Sequence, residues 1–241
     1  MPLASTTLTM CAAFMSAVLR FVMVPVAILL IWVLGVAGST AVQALQFDEK
    51  TITEYARTQH GERAASYVGS WLNMLNQAQP LSERDQLSEV NEFWNSHVRG
   101  DEDINIWGKE DYWATPIETL AKGAGDCEDF VIAKYFSLVR SGVEPDKLRF
   151  IYVRARIGGP SSSTTIAHMV LGYYPTSGAE PLILDNLSSS ITTASNRPDL
   201  KPVFSFNASG VYVPGEQPRP AERIGHWRDL LSRMQKEGFQ P

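Results

Sequence analysis

The chain has 241 residues, 44% hydrophobic and 20% charged, a globular balance that argues against long disordered tracts. Its 21 Lys and Arg against 26 Asp and Glu give a net charge of −5, so no basic footprint points to a nucleic-acid partner. The length suits one sizeable domain, or a core with a small helical extension.

Residues 21–37 are almost purely apolar, Arg20 stands just before them, and small residues follow up to Val42-Gln43-Ala44. This pattern reads as a signal peptide over residues 1–44, cut near Ala44. The alternative is an uncleaved anchor, because the run is near the lower limit of about 17–25 residues needed to span a bilayer. The chain has two cysteines, and Cys11 falls within this leader. The mature chain then keeps only Cys127, which rules out an internal disulfide. A lone thiol in an oxidising compartment is exposed to oxidation and mispairing unless it has a use.

Residues 48–100 read as helical. Tyr55, Ala64, Tyr67, Val68, Trp71, Leu72 and Leu75 recur at helical spacing, and Pro80 interrupts them. Ser82, with Gln86 after it, resembles an N-cap signal for a second amphipathic run through Leu87, Val90, Phe93, Trp94 and Val98. Core packing explains these aromatics. Residues 101–125 read as loop, with one helical turn near Glu118–Leu120. Residues 127–141 form a helix by their spacing, stopped by Gly142. Alternation then marks strands over 148–157, 166–174 and 181–185, with short strands at 203–206 and 211–213. A last amphipathic helix spans 221–236. Helices followed by a strand meander make the fold class α+β. The expected organisation is the leader, a helical subdomain over 45–110, and a core over 111–241.

Cys127 falls at the start of its helix, where unpaired backbone N–H groups stabilise a thiolate and can hold an oxyanion. A thiol nucleophile needs a base and a group to orient it. Of the four histidines, His168 lies on an expected strand, and Asp185 ends the next one. Adjacent antiparallel strands can set the two side by side. A strand histidine is also commonly structural, and an aspartate after a strand is commonly a turn former. The acids flanking the cysteine, Asp126, Glu128 and Asp129, would repel a thiolate. They read either as carboxylates favoured in a first helical turn or as ligands of a hard cation such as Ca²⁺. Zinc fits less well, since no second cysteine or nearby histidine completes a site.

Several blocks carry a family resemblance: Tyr112-Trp113-Ala114-Thr115-Pro116, Gly123-Ala124-Gly125-Asp126-Cys127-Glu128-Asp129-Phe130, and Ala133-Lys134-Tyr135-Phe136. Ala167-His168-Met169-Val170-Leu171, Leu182-Ile183-Leu184-Asp185-Asn186-Leu187 and Ser205-Phe206-Asn207 continue it. Together they resemble the bacterial transglutaminase-like cysteine proteinases, which include the LapG-type periplasmic proteases. The resemblance implies a papain/transglutaminase-like core with N-terminal helices and an antiparallel sheet. It implies a Cys127–His168–Asp185 triad, and calcium held through Asp126, Glu128 and Asp129. It also implies a periplasmic endopeptidase that cuts a large repeat adhesin near its N-terminus, often at paired alanines, and so releases cells from biofilm. The implied inhibitor is the periplasmic domain of an inner-membrane cyclic-di-GMP receptor. Contact with the membrane is expected only through an uncleaved leader. Two other readings use the same residues: an acyl transferase of transglutaminase or amidase type, and a non-catalytic binding module.

Overall fold

The structure is a computed structural model that describes residues 45–207, 210–213, 215, 217, 219 and 225–240. The leader expected over 1–44 lies outside them. Among the described residues no helix is long and apolar enough to cross a membrane.

After a two-residue strand, β1 (Gln46–Phe47), three helices follow: α1 (Glu49–His60), α2 (Glu62–Ala78) and α3 (Glu83–His97). Asp48 caps α1 by accepting the Thr51 N–H at 2.8 Å. The break before α2 is at Gly61, whose φ of 89° an L side chain rarely adopts. Periodicity runs straight through this point, so the helical stretch over 48–100 was legible but its first division was not. At α3 the capping partner of Ser82 is Asp85, whose N–H it accepts at 3.3 Å. Gln86, expected in that role, instead turns inward and donates to the carbonyls of Gln79, Leu81 and Ser141.

The segment expected as loop carries more structure than its composition indicates. Strand β2 (Arg99–Gly100) pairs in parallel with β3 (Ala124–Gly125), and α4 (Asp103–Trp107) and α5 (Pro116–Lys122) lie between them. A full capping box starts α5: Thr115 accepts the Glu118 N–H, Glu118 accepts the Thr115 N–H, and Pro116 occupies the first turn.

Helix α6 (Cys127–Ser141) is the spine of the fold. On one side it meets α3, and on the other the sheet strand β5. The sheet comprises β4 (Leu148–Arg156), β5 (Thr165–Tyr173), β6 (Leu182–Leu184), β7 (Thr192–Thr193), β8 (Leu200–Asn207) and β9 (Gly210–Tyr212). Its order is β7-β6-β5-β4-β8-β9, antiparallel throughout, as expected from the alternation. The last helix, α7 (Gly225–Glu237), lays Trp227 on Phe136 of α6, stacked at 5.8 Å. The chain ends by pairing β10 (Phe239–Gln240) with β1.

One hydroxyl joins the three central helices. Ser137 Oγ on α6 accepts the indole N–H of Trp71 from α2 and of Trp94 from α3, both at 2.9 Å, and donates to the Ala133 carbonyl at 2.7 Å. All three side chains are buried. That uses the full donor and acceptor capacity of a serine. Ser137→Ala should strand two buried N–H groups and cost roughly 2–4 kcal/mol in urea unfolding. A loss under about 0.5 kcal/mol would mean that the indoles find other partners.

Candidate active site

The N-cap of α6 is Asp126, whose side chain accepts the Asp129 N–H, and Cys127 is the first helical residue. The helix packs this end against β5, and the backbone N–H of Met169 on that strand favours the Cys127 thiolate. Met169 directly follows His168. The helix start therefore packs against the strand that carries His168.

His168 and Asp185 are 17 residues apart and both almost wholly buried. The register of β5 with β6 sets Leu171 opposite Leu184, which carries Asp185, just past the end of β6, up beside His168. His168 Nε2 and Asp185 Oδ1 are 2.8 Å apart. The other carboxylate oxygen accepts Arg197 Nη2 at 2.7 Å, and the Leu187 N–H bonds Oδ1 at 2.9 Å. Burial opposes the charge on Asp185, but His168, the Leu187 N–H and Arg197 outweigh it and lower its pKa to about 2. Asp185 is thus a fixed anion. Its backbone is also held, because Asn95 on α3 donates to its carbonyl at 2.9 Å. Arg197 is itself clamped by Asp199 through Nε and Nη2. Sequence reasoning missed Arg197 and Asn95. Their contacts span 12 and 90 residues, and no local pattern announces such pairs.

The surroundings of Cys127 have the opposite charge. Its Sγ donates to Glu128 Oε2 at 3.0 Å. Burial, then Glu128, then Asp126 push the thiol well above the usual range, and only the Met169 N–H opposes them. The three flanking carboxylates do not converge as one trio. Asp126 and Asp129 meet Asp103, while Glu128 meets Asp103 and Asp111, with ligand oxygens in each group within 4.8 Å of one another. Asp103 is common to both groups. It stands in the run Asp101-Glu102-Asp103, but its role depends on α4 folding back over the start of α6.

These acids include a marked imbalance. Asp129 Oδ1 accepts the Ala114 N–H at 2.7 Å, while its Oδ2 is buried without a hydrogen-bond partner. Asp103 accepts the Tyr112 N–H on one oxygen and leaves the other, also buried, without one. Burial, partly offset by the Tyr112 N–H, raises the Asp103 carboxyl to about 6. Burial and the neighbouring acids likewise raise Asp126 and Asp129. Orphaned hard oxygens in mutual repulsion match the donor set of a hard divalent cation. Gly125 is essential to this arrangement. A Cβ there would lie 2.8 Å from the Asp129 Cβ, so the glycine serves close approach rather than the tight turn its type implied.

A family model of the bacterial transglutaminase-like cysteine proteinases matches residues 55–198. The chain belongs to this family. The proteinase is similar to solved structures of Legionella pneumophila LapG. The EGTA-treated form is 37% identical with a TM-score of 0.69, covering 79% of this chain and 100% of that one. The calcium-bound form is 39% identical with a TM-score of 0.66, covering 78% and 99%. No curated protein matches the chain.

The proteinase carries one further buried ionisable group at this site. Lys134, two turns beyond Cys127 on α6, is 0% exposed, and its Nζ has no hydrogen-bond partner among the described residues. It lies over the Phe130 ring at 5.7 Å. Burial lowers its pKa to about 7, against the pull of Asp185. Unfolded, the amine titrates near 10.5. Between those values the unfolded chain binds more protons than the native one, so stability rises with pH across this window. Lys134→Met should stabilise the fold at pH 6 by about 1–4 kcal/mol, with the gain shrinking from pH 7 to 10 in denaturant titrations. A destabilised variant would show that the ammonium has a favourable buried role.

Proposed function

We propose that this proteinase is a calcium-dependent periplasmic endopeptidase that cleaves the N-terminal region of a large surface adhesin. Cleavage releases the adhesin and disperses biofilm, under control of a cyclic-di-GMP receptor whose periplasmic domain holds the enzyme inactive. The observation that carries the catalytic part is the buried His168–Asp185 pair at 2.8 Å, whose histidine lies on the strand against which α6 packs. The calcium-bound and EGTA-treated forms of Legionella LapG support the metal dependence. The leader pattern over 1–44 supports the periplasmic location.

The roles follow from which atoms are already committed. Nε2 of His168 is engaged by Asp185, which leaves Nδ1 to take the thiol proton. The Cys127 sulfur then attacks the peptide carbonyl carbon, and the carbonyl electron pair moves to oxygen. The N–H of Cys127, at the positive end of α6, donates to that oxyanion. Collapse of the tetrahedral adduct expels the amine, which takes its proton from the His168 imidazolium. A water molecule gives a proton to the same nitrogen, attacks the thioester and displaces the thiolate. Asp185 stays ionised throughout, holding the ring and stabilising its charged form, and Arg197 keeps Asp185 from turning away.

Asp103, Asp126, Asp129, Glu128 and Asp111 would hold the cation. Bound there, it supplies positive charge that neutralises the carboxylates crowding the thiol.

Incubating the protein with an adhesin N-terminal fragment tests this reading. Cys127→Ala should lower cleavage by at least about a thousandfold without changing the circular dichroism spectrum. Full cleavage by that variant would remove Cys127 from the mechanism. By calorimetry, Ca²⁺ should bind the wild type with stoichiometry near one, and Asp103→Ala should weaken it by about tenfold or more. Equal binding by both would sink the ligand assignment.

A further inference from the structure

Strand β4 sends alternate residues to opposite faces of the sheet. Ile151, Val153 and Ala155 pack into a small apolar cluster on one face. Tyr152 lies on the other, packed with Phe204 and Cys127 against the main core. Arg154 and Arg156 continue that second face along the strand. The register with β8 sets Lys201 directly opposite Arg154, and Phe204 opposite Tyr152. The Tyr152 and Phe204 rings stack at 5.1 Å. Three cationic side chains therefore extend the sheet face that carries the thiol.

Two features set these cations apart. Arg154 and Lys201 are exposed and Arg156 is half-buried, and no side chain of the three has a hydrogen bond, ion pair or ring contact among the described residues. Like charges directly opposite each other on neighbouring strands weaken a sheet, so Arg154 and Lys201 do not serve its stability. They also stand out in a chain of net charge −5.

Their position relates them to the site. Tyr152 is in register with Met169, whose N–H favours the Cys127 thiolate, and Arg154 and Arg156 are in register with Ala167 and Thr165. Of the residues beside them on β5, Ala167 and Thr165 are exposed and small, which leaves open surface next to the cations. At ~3.3 Å per residue, Arg154 lies about two residues of extended chain beyond Tyr152. Asp126 and Glu128 surround the cysteine, with Asp111 beside Glu128. An acidic substrate side chain is repelled from those carboxylates and attracted to the cations.

We infer that Arg154, Arg156 and Lys201 form a recognition strip for an acidic side chain of the substrate, two to four residues from the bond that is cut. This rests on the reading of Cys127 as the nucleophile. The strip orients the peptide by charge, and Tyr152 and Phe204 supply the flat apolar surface between charge and thiol.

The test uses two sets of fluorescent dodecapeptides with a central Ala-Ala, carrying Glu or Lys at successive positions on either side. Binding is read by anisotropy on Cys127→Ala, and cleavage separately on the wild type. At one or more positions Glu should bind about three- to tenfold more tightly than Lys, and the preference should shrink in high salt. In a Cys127→Ala background, Arg154→Glu with Lys201→Glu should reverse it. Arg154→Glu alone creates an opposite-charge pair with Lys201, so a melting temperature no lower than the wild type's checks that this variant folds, and its loss of the Glu preference supports the strip without the double change. Equal binding of Glu and Lys peptides at every position, or a preference unmoved by the charge reversal, overturns the strip. If no peptide is cleaved but the binding preference appears and reverses, the strip stands and the protease reading falls.

Discussion

The active site depends on the pressing of the first turn of α6 against β5. Twelve of the fifteen residues of α6 are buried, so the helix cannot slide or rotate without opening the core. Its polar residues are tied to particular neighbours. Asp129 takes the Ala114 N–H, and Ser137 takes two indoles from different helices. The apolar surface supplies the driving force, and these directional contacts select the register. Cys127 is held against the strand that carries His168 because the rest of its helix has no alternative seat.

The two halves of the site have opposite electrostatic designs. Asp185 is buried with the Arg197 countercharge and its hydrogen-bond partners in place, so its ionisation is settled. The thiol is buried among carboxylates, so its ionisation is opposed. On the proposed reading the orienting side is finished by the fold, while the nucleophilic side takes its positive charge from a bound cation. A proteinase of that design is complete in shape and incomplete in charge, and its activity follows whatever neutralises the acids.

The elements with strong local signals were legible in the sequence. Alternation located β4 and β5 to within a residue, and Gly142 marked the end of α6. The pairing of His168 with Asp185 was allowed by their places on adjacent strands and implied by the family resemblance. What escaped notice was of two kinds. Some signals were present but unread, such as the Thr115-Pro116 and Glu118 capping box that turns an expected loop into α5. Others have no local signature. Asp103 becomes part of the acidic cluster only because β2 pairs with β3, and Arg197 reaches Asp185 only because the chain doubles back after β7. The helix over 221–236 begins in the structure at Gly225, its first four expected residues lying outside those described.

The short parallel pairing of β2 with β3 has an evolutionary consequence. Arg99 N–H bonds the Gly123 carbonyl and Asp101 N–H the Gly125 carbonyl, both at 3.0 Å. These rungs fix the chain two residues before Asp103 and two before Cys127. An insertion or deletion between Asp101 and Asp103, or between Gly125 and Asp129, would carry a carboxylate out of its cluster. The exposed turn between β4 and β5 meets no such restriction. Drift in chain length is therefore confined to segments like that turn, while the spacing around the acids is held by two backbone hydrogen bonds whatever side chains surround them.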